Sequence, residues 1–237
     1  MPAPRAQLEA VLRTSTTDTF SVRQMLPVGG EARAAAVLLL FGTLDAVASK
    51  RMATAVPRDL DVLLLARAST LRAHAGQVAF PGGRLDPGDD GPVAAALREA
   101  REETGLDPDG VDVLGHLPSV PLAFSNHEVT PVVGWWSRPT PVQAVDAAES
   151  SAVFRAPVAD LLDPALRGVT VIRRDGREWR DPAFQLETVS GSYVVWGFTA
   201  MLLDAVFDRA GWTEPWDHAR EIPLPEPAKA PPQASIP

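Results

Sequence analysis

The sequence predicts an α+β fold in which a mixed β-sheet is covered by helices on its faces. Short apolar runs bounded by turn residues recur along the chain and are typical of buried strands. Only two strong helical patterns accompany them, fewer than a doubly wound fold needs for its crossovers. The sequence also lacks the glycine patterns of a dinucleotide-binding turn and of a phosphate-binding loop.

The predicted strands lie on both sides of the first helix. Each is a short run of apolar residues that ends near a polar residue, a proline or a glycine. In chain order they are Ala35–Phe41, Asp61–Ala66, Gln77–Phe80, Val111–Leu117, Glu128–Trp136, Ala152–Phe154 and Val169–Arg173.

Two segments have the pattern of a helix. Pro92–Thr104 has a proline in its first turn, continues through alanines and stops before Gly105, a residue type that commonly ends helices. Tyr193–Arg209 is predicted to be a longer, mostly buried helix that ends near Gly211.

Composition limits the class of protein. Of 237 residues, 46% are hydrophobic and 22% are charged, which is typical of a globular chain. The formal net charge of −8 disfavours general electrostatic binding to nucleic acid or to an anionic membrane. The absence of cysteine excludes a thiolate nucleophile and cysteine-ligated metals. No stretch reaches the roughly 18 apolar residues of a membrane helix, so we expect a cytoplasmic protein.

Prolines are frequent near the end of the chain, where a polar run after Pro215 has no apolar periodicity. We interpret this run as an extended or disordered tail, with irregular coil packed on the domain as the alternative. The predicted organisation is an N-terminal extension over residues 1–33, one domain over residues 34–211 and a proline-rich tail over residues 212–237.

The densest chemical signal is a group of carboxylates on the first predicted helix. Glu99, Glu102 and Glu103 are spaced by three and four residues, so they share one helix face and repel one another. One explanation is purely structural: the carboxylates lie on a solvent-exposed face of the helix, and Arg98 and Arg101 reduce the repulsion between them. The alternative is a magnesium or manganese site, because hard divalent cations bind clustered oxygen ligands and bridge them to phosphates.

These residues carry a resemblance to a known family. Gly83, followed by Arg98-Glu99-Ala100-x-Glu102-Glu103-x-Gly105-Leu106, resembles the signature box of the Nudix hydrolases, which cleave a nucleoside diphosphate linked to another moiety. The Arg-Glu pair lies one residue further from the glycine than in the usual box. Asp89 stands where the box has an additional Glu. The resemblance implies a Nudix-type α/β/α sandwich, with the metal-binding helix packed on a mixed sheet.

The preceding segment resembles the extra motif of the coenzyme A pyrophosphatase branch. Arg67, Ala68, Arg72, Gly76 and Phe80–Gly83 are all in register with that motif, although Leu65 replaces its usual Thr. The branch hydrolyses coenzyme A to 3′,5′-adenosine bisphosphate and 4′-phosphopantetheine, and acyl derivatives give the acylated pantetheine.

The resemblance implies a role for each matching residue. The metal ligands would be Glu99, Glu102, Glu103 and, more weakly, the Gly83 carbonyl, with Mg²⁺ or Mn²⁺ as cofactor. Arg98 would orient a ligand carboxylate. Glu149 is one candidate for the general base, and a metal-bound carboxylate is the other. Residues predicted to serve substrate binding or to shape its loop are Arg67, Arg72, Phe80, Gly82 and Gly83, with the two arginines facing the pyrophosphate or the 3′-phosphate.

Alternatives remain open at this stage. One is a Nudix hydrolase of another nucleotide, such as NADH, ADP-ribose, a nucleotide sugar or a nucleoside triphosphate. Another is a catalytically silent domain that binds a nucleotide. No nucleic-acid or membrane partner is predicted, and a homodimer is left open. The four histidines, including His127, are predicted to be structural or exposed.

Overall fold

The computed structural model describes residues 3–16, 32–43, 49–68, 76–122, 125–174 and 176–225. The helices in these residues are α1 (Pro4–Thr14), α2 (Gly91–Thr104), α3 (Val158–Leu161) and α4 (Gly197–Arg209). The strands are β1 (Arg33–Thr43), β2 (Leu60–Arg67), β3 (Val78–Ala79), β4 (Gly82–Arg84), β5 (Val111–His116), β6 (Val120–Leu122), β7 (His127–Trp136), β8 (Ser150–Pro157), β9 (Arg167–Arg174), β10 (Arg177–Thr188) and β11 (Gly191–Val195). Among these described elements, no helix has the length and apolar character to cross a membrane.

An eight-stranded mixed sheet forms the centre of the described fold. Its middle strand, β1, runs parallel to β7, in a register that pairs Arg33 with His127 and Phe41 with Trp135. β1 runs antiparallel to β2 and also to β4, which contributes Gly82–Arg84 to the sheet. β1 is apolar along most of its length because both faces of the sheet are covered.

Successive residues of β1 point to opposite faces of the sheet, and each face has its own apolar core. On one face, Ala36 and Leu38 pack against α2 through the small side chains of Ala95, Ala96 and Ala100. On the other face, β1 packs with α4 and with a second, antiparallel sheet of β9, β10 and β11. The predicted α+β architecture, with a helix packed on a mixed sheet, is confirmed.

The ends of α2 follow from its sequence. Pro92 lies in the first turn, where a missing backbone N–H costs nothing. Gly105 adopts a left-handed conformation with a φ of 69°, and its N–H donates to the Arg101 carbonyl. Only glycine takes that conformation without a steric cost, so the helix ends at the predicted position.

The second predicted helix is wrong over its first residues. Gly191–Val195 forms β11, in which Tyr193 pairs with Leu186 of β10, and α4 begins only at Gly197. β-Branched valines in this segment favour a strand, and a neighbouring strand supplies the backbone partners. Gly197, with a φ of 62°, then turns the chain into the helix. The mostly polar β10 was not predicted because its apolar pattern is weak.

Parts of both flanking segments pack on the domain. In the predicted extension, α1 buries Leu8 and Val11. In the predicted tail, Trp212 and Ile222 are buried, and the Ile222 N–H donates to the Val169 carbonyl. The expectation of an unpacked tail from Pro215 is therefore wrong up to Ile222, because apolar side chains anchor this irregular segment. Residues 226–237 lie outside the described part of the chain, and the domain boundaries stay predictions.

Candidate active site

The site is built where β4 meets α2. At Gly82, a side-chain carbon would clash with the Ala36 carbonyl of the neighbouring strand. At Gly83, it would clash with the carboxylate of Glu99. The two glycines therefore let the loop lie directly between the sheet and the acidic face of the helix.

Glu103 is the most sheltered carboxylate of this group. Its Oε2 accepts a hydrogen bond of 3.0 Å from the Gly82 backbone N–H. Burial is the main cause that raises the pKa of Glu103 to about 7, and the negative charges of Glu99 and Glu149 add to the shift. The Gly82 N–H and the positive charge of Arg67 oppose it. In the absence of a bound cation, Glu103 is thus a carboxylate whose negative charge is poorly compensated.

Glu99 and Glu102 both bind Arg98. Arg98 Nη1 donates to Glu99 Oε1 at 3.0 Å and to Glu102 Oε2 at 3.1 Å. The Glu99 side chain is 19% exposed and that of Glu102 is 58% exposed, so the two differ in how far they are withdrawn from water. Burial raises the pKa of Glu99, although Arg98 works in the opposite direction.

Arg98 is in turn held by Asp89, a residue to which the sequence assigned no role. Arg98 Nε and Nη2 donate to the two Asp89 oxygens at 3.0 and 2.9 Å, a bidentate arrangement that fixes the guanidinium plane. Arg98 Nη2 also donates to the Arg84 carbonyl at 3.0 Å. The hydrogen bond from Arg98 lowers the pKa of Asp89. The signal was present in the sequence, since Asp89 stands at the acidic position upstream of the helix.

Arg67 approaches the same carboxylates from the end of β2. Its positive charge acts on Glu103, and its Nε is buried without a hydrogen-bond partner among the described residues. A buried guanidinium donor that lacks a protein acceptor is suited to an anionic ligand. Arg72, the second predicted arginine, lies outside the described residues.

Glu149 lies at the rim of the site. Its side chain is exposed, yet its charge acts on Glu103, and its carbonyl accepts from the Ala68 N–H at 2.9 Å, next to Arg67. The loop before it is attached to α2, because the Val145 N–H donates to the Glu103 carbonyl at 3.2 Å. The end of α2 and the loop that carries Glu149 are therefore connected.

The fold thus brings most of the predicted site residues into one neighbourhood. They are Arg67, Gly82, Gly83, Arg98, Glu99, Glu102, Glu103 and Glu149. Phe80 differs, because its side chain is 3% exposed and belongs to the apolar core. Its observed contribution is packing beneath the loop.

The donor chemistry of the site suits a hard divalent cation. The carboxylates supply only oxygen, and burial has raised the pKa of Glu99 and of Glu103. A cation would relieve that cost, and Mg²⁺ and Mn²⁺ prefer such ligands. Across the described ranges, no three His, Asp or Glu side chains are placed to hold a metal ion together. Arg98, which now neutralises Glu99 and Glu102, would have to share them with the ion.

Comparison with known proteins shows which family the sequence belongs to. A family model described as the NUDIX domain matches residues 49–175, more than half of the chain. The uncharacterized Nudix hydrolase NudL of Cronobacter sakazakii is 43% identical over 142 residues, which cover 60% of this chain and 71% of the relative. NudL of Escherichia coli is 42% identical over the same coverage. The crystal structure of a MutT/nudix family protein from Enterococcus faecalis is 16% identical, with a TM-score of 0.44 over 89% of this chain and 76% of that one.

The protein is therefore a hydrolase of α+β architecture whose acidic helix faces a glycine loop. It belongs to the NUDIX domain family. The class of reaction is hydrolysis of a nucleoside diphosphate derivative.

Proposed function

We propose that this protein hydrolyses the pyrophosphate bond of coenzyme A or of an acyl-coenzyme A. The observation that carries the proposal is the position of Arg67. The charge of this residue of the coenzyme A motif acts on Glu103, and its buried Nε has no hydrogen-bond partner among the residues that the structure describes. The resemblance over residues 63–83 supports the same substrate, because Arg67, Gly76 and Phe80–Gly83 match the branch motif.

In the proposed reaction, water attacks one phosphorus of the pyrophosphate and the bond from that phosphorus to the bridging oxygen breaks. The leaving phosphate takes the bridging oxygen with the bonding electron pair. The products are 3′,5′-adenosine bisphosphate and 4′-phosphopantetheine, or its acylated form. Nothing is oxidised or reduced, so no further co-reactant is needed.

Glu99, Glu102 and Glu103 would hold a divalent cation, with the Gly83 carbonyl as a further ligand. When bound, such an ion neutralises phosphate oxygens and lowers the pKa of water. Arg98 positions Glu99 and Glu102, and Asp89 fixes the plane of Arg98. Gly82 holds Glu103 through its N–H. Protein groups thus set the direction in which each carboxylate points.

Arg67 would neutralise the pyrophosphate, because its positive charge already acts on the sheltered Glu103. Arg72 remains a predicted second contact of the substrate. Glu149 would take a proton from the attacking water, since it is exposed and close enough for its charge to act on Glu103. The alternative base is a carboxylate of the metal site itself.

A substrate panel tests the proposal. The protein is incubated with Mg²⁺ or Mn²⁺ and with coenzyme A, acetyl-coenzyme A, NADH, ADP-ribose or nucleoside triphosphates, and the products are resolved by mass spectrometry. We expect 3′,5′-adenosine bisphosphate from coenzyme A to form fastest. Faster cleavage of NADH, ADP-ribose or a triphosphate would assign a different substrate, and metal binding without turnover would support a silent binding domain.

A cytoplasmic location stays a prediction, and a homodimeric assembly stays open. Coenzyme A is a compound of the cell interior, which is consistent with that location. Analytical ultracentrifugation of the full chain measures its assembly directly.

A further inference from the structure

Three basic side chains meet on the central sheet at the strand that also carries Gly82 and Gly83 of the candidate site. Arg33 begins β1, and its parallel partner in β7 is His127. Arg84 ends β4 and pairs with Ala35, two residues along β1 from Arg33. Neighbouring strands lie about 5 Å apart and two residues span about 7 Å, so the three side chains form one cluster.

This cluster lies on the sheet face opposite α2. Gly83 faces Glu99 of α2, so the next residue, Arg84, points to the other face. Paired residues share a face, as do residues two apart in a strand, which places Arg33 and His127 on the same side as Arg84. The cluster is therefore separated from the carboxylates by the sheet and joined to them by the Gly82–Arg84 strand.

The positive charge of this cluster is not compensated within the described part of the chain. Arg33 and Arg84 are exposed, and neither has a side-chain hydrogen bond or an ion pair with another described residue. His127 is half-buried, and burial together with the charges of Arg84 and Arg33 lowers its pKa. A backbone hydrogen bond at Ser125 opposes this shift, and the charged side chains that act on His127 are the two arginines, in a protein with a net charge of −8. Like charges held together without an acid between them favour an anionic ligand.

We infer that Arg33, Arg84 and His127 form a subsite for a phosphate monoester of the substrate, separate from the pyrophosphate that is cleaved. This inference rests on the proposed function. Coenzyme A carries such a group as its 3′-phosphate, at the adenosine end and apart from its pyrophosphate. The two arginines can donate to its oxygens, and the imidazole can add a further hydrogen bond. Arg67 then serves the pyrophosphate, and the cluster distinguishes coenzyme A from nucleotides that lack the extra phosphate.

Kinetics with a matched pair of substrates test the inference. Coenzyme A and dephospho-coenzyme A differ only in the 3′-phosphate. We expect Arg33→Gln and Arg84→Gln each to lower kcat/KM for coenzyme A by about tenfold or more, mainly through KM, and to leave dephospho-coenzyme A nearly unchanged. Arg177→Gln removes an exposed arginine from β10 and serves as the control for loss of charge. Equal losses with both substrates, or no loss with either, would overturn the subsite.

A binding measurement separates this inference from the proposed function. Titration calorimetry with Mg²⁺ compares 3′,5′-adenosine bisphosphate with 5′-adenosine monophosphate, and it needs no turnover. Tighter binding of the bisphosphate to the wild type, lost in Arg84→Gln, supports the subsite even if coenzyme A is not hydrolysed. Equal binding of both nucleotides to the wild type refutes the subsite, even if coenzyme A is the substrate. Circular dichroism checks that each variant is folded.

Discussion

Glu103 and Asp89 are both carboxylates, yet their surroundings move their pKa values in opposite directions. Burial raises the pKa of Glu103, whereas the hydrogen bond from Arg98 lowers that of Asp89. A bound cation would therefore stabilise the negative charge of Glu103, whereas Arg98 already neutralises that of Asp89. At the scale of single residues, the environment assigns these two acids different roles in the site.

Glu103→Gln tests the proposed metal ligand. We expect kcat to fall by about 100-fold or more. The neutral amide binds a divalent cation more weakly than the carboxylate does, so the charge on the substrate phosphates is less well neutralised. The amide can still accept the Gly82 hydrogen bond, so the variant should keep the wild-type circular dichroism spectrum. Glu128→Gln, at an exposed position of β7, is the matched control. Full activity of the Glu103 variant would refute the metal assignment.

The raised pKa of Glu103 also predicts how stability depends on pH without metal. Between pH 4.5 and 7, the folded protein holds a proton on Glu103 that the unfolded chain releases. The stabilisation from this proton is complete below pH 4.5 and is lost as pH rises through 7. It amounts to about 3 kcal/mol at most. Urea denaturation in the presence of a chelator should show this loss in the wild type relative to Glu103→Gln; parallel pH profiles would contradict it.

Asp89→Asn tests whether the upstream acid positions Arg98. Loss of the bidentate charge pair should free the guanidinium, disturb Glu99 and Glu102, and lower kcat by about 10- to 100-fold with little change in KM. Asp90→Asn changes the neighbouring exposed acid, whose side chain caps no helix N–H, and should be nearly silent. Steady-state kinetics distinguish the two. Similar activity in both variants would remove Asp89 from the site.

At the scale of elements, the contact between β4 and α2 sets the geometry of the site. Gly82 and Gly83 belong to a two-glycine turn in the sequence, but in the structure they are part of a strand that pairs with β1. The strand fixes the loop to the sheet, and the alanine face of α2 fixes the helix to the same sheet. The Gly82–Gly83 strand and α2 are therefore both held by the same sheet, which fixes their relative positions.

Gly83→Ala tests this close approach. The added methyl group would occupy the position of the Glu99 carboxylate, so we expect a loss of activity and a decrease of about 1–3 kcal/mol in the free energy of unfolding. Gly88→Ala is the control, because a side-chain carbon there meets no atom within 4 Å. Chemical denaturation and an activity assay measure both effects. An active, stable Gly83→Ala protein would show that Glu99 can move without cost.

At the scale of the whole molecule, the segment after α4 stabilises the domain. Trp212 is fully buried and contacts Phe41 and Phe207 with its ring. Trp216 lies over the guanidinium of Arg167, which is itself buried and paired with Asp204. These contacts attach the segment, which lies beyond the predicted end of the domain at residue 211, to β1, β9 and α4.

Trp212→Ala tests whether this segment stabilises the domain. Loss of a large buried side chain should lower the free energy of unfolding by about 3–5 kcal/mol. Leu224→Ala, at a position 36% exposed, should cost less than about 1 kcal/mol. Urea denaturation of the full-length proteins compares them. If Trp212→Ala changed the free energy of unfolding only slightly, the segment would contribute little to the stability of the domain.

Features that depend on local spacing could be predicted from the amino-acid sequence. The acidic face of α2, its end at Gly105 and the buried strands follow from periodicity and from the conformational preferences of glycine and proline. Local pattern was insufficient for β11, because the same apolar residues suit a helix or a strand until a partner strand is present.

Contacts between residues that are distant in sequence could not be predicted without the three-dimensional fold. Gly82 binds Glu103 across 21 positions of sequence, and Arg98 binds Asp89 across nine. Arg33 meets His127 only because β1 pairs in parallel with β7. Such contacts depend on strand register and helix packing, which are set by burial over the whole chain and not by the residues concerned. Their protonation and charge balance follow from the same burial.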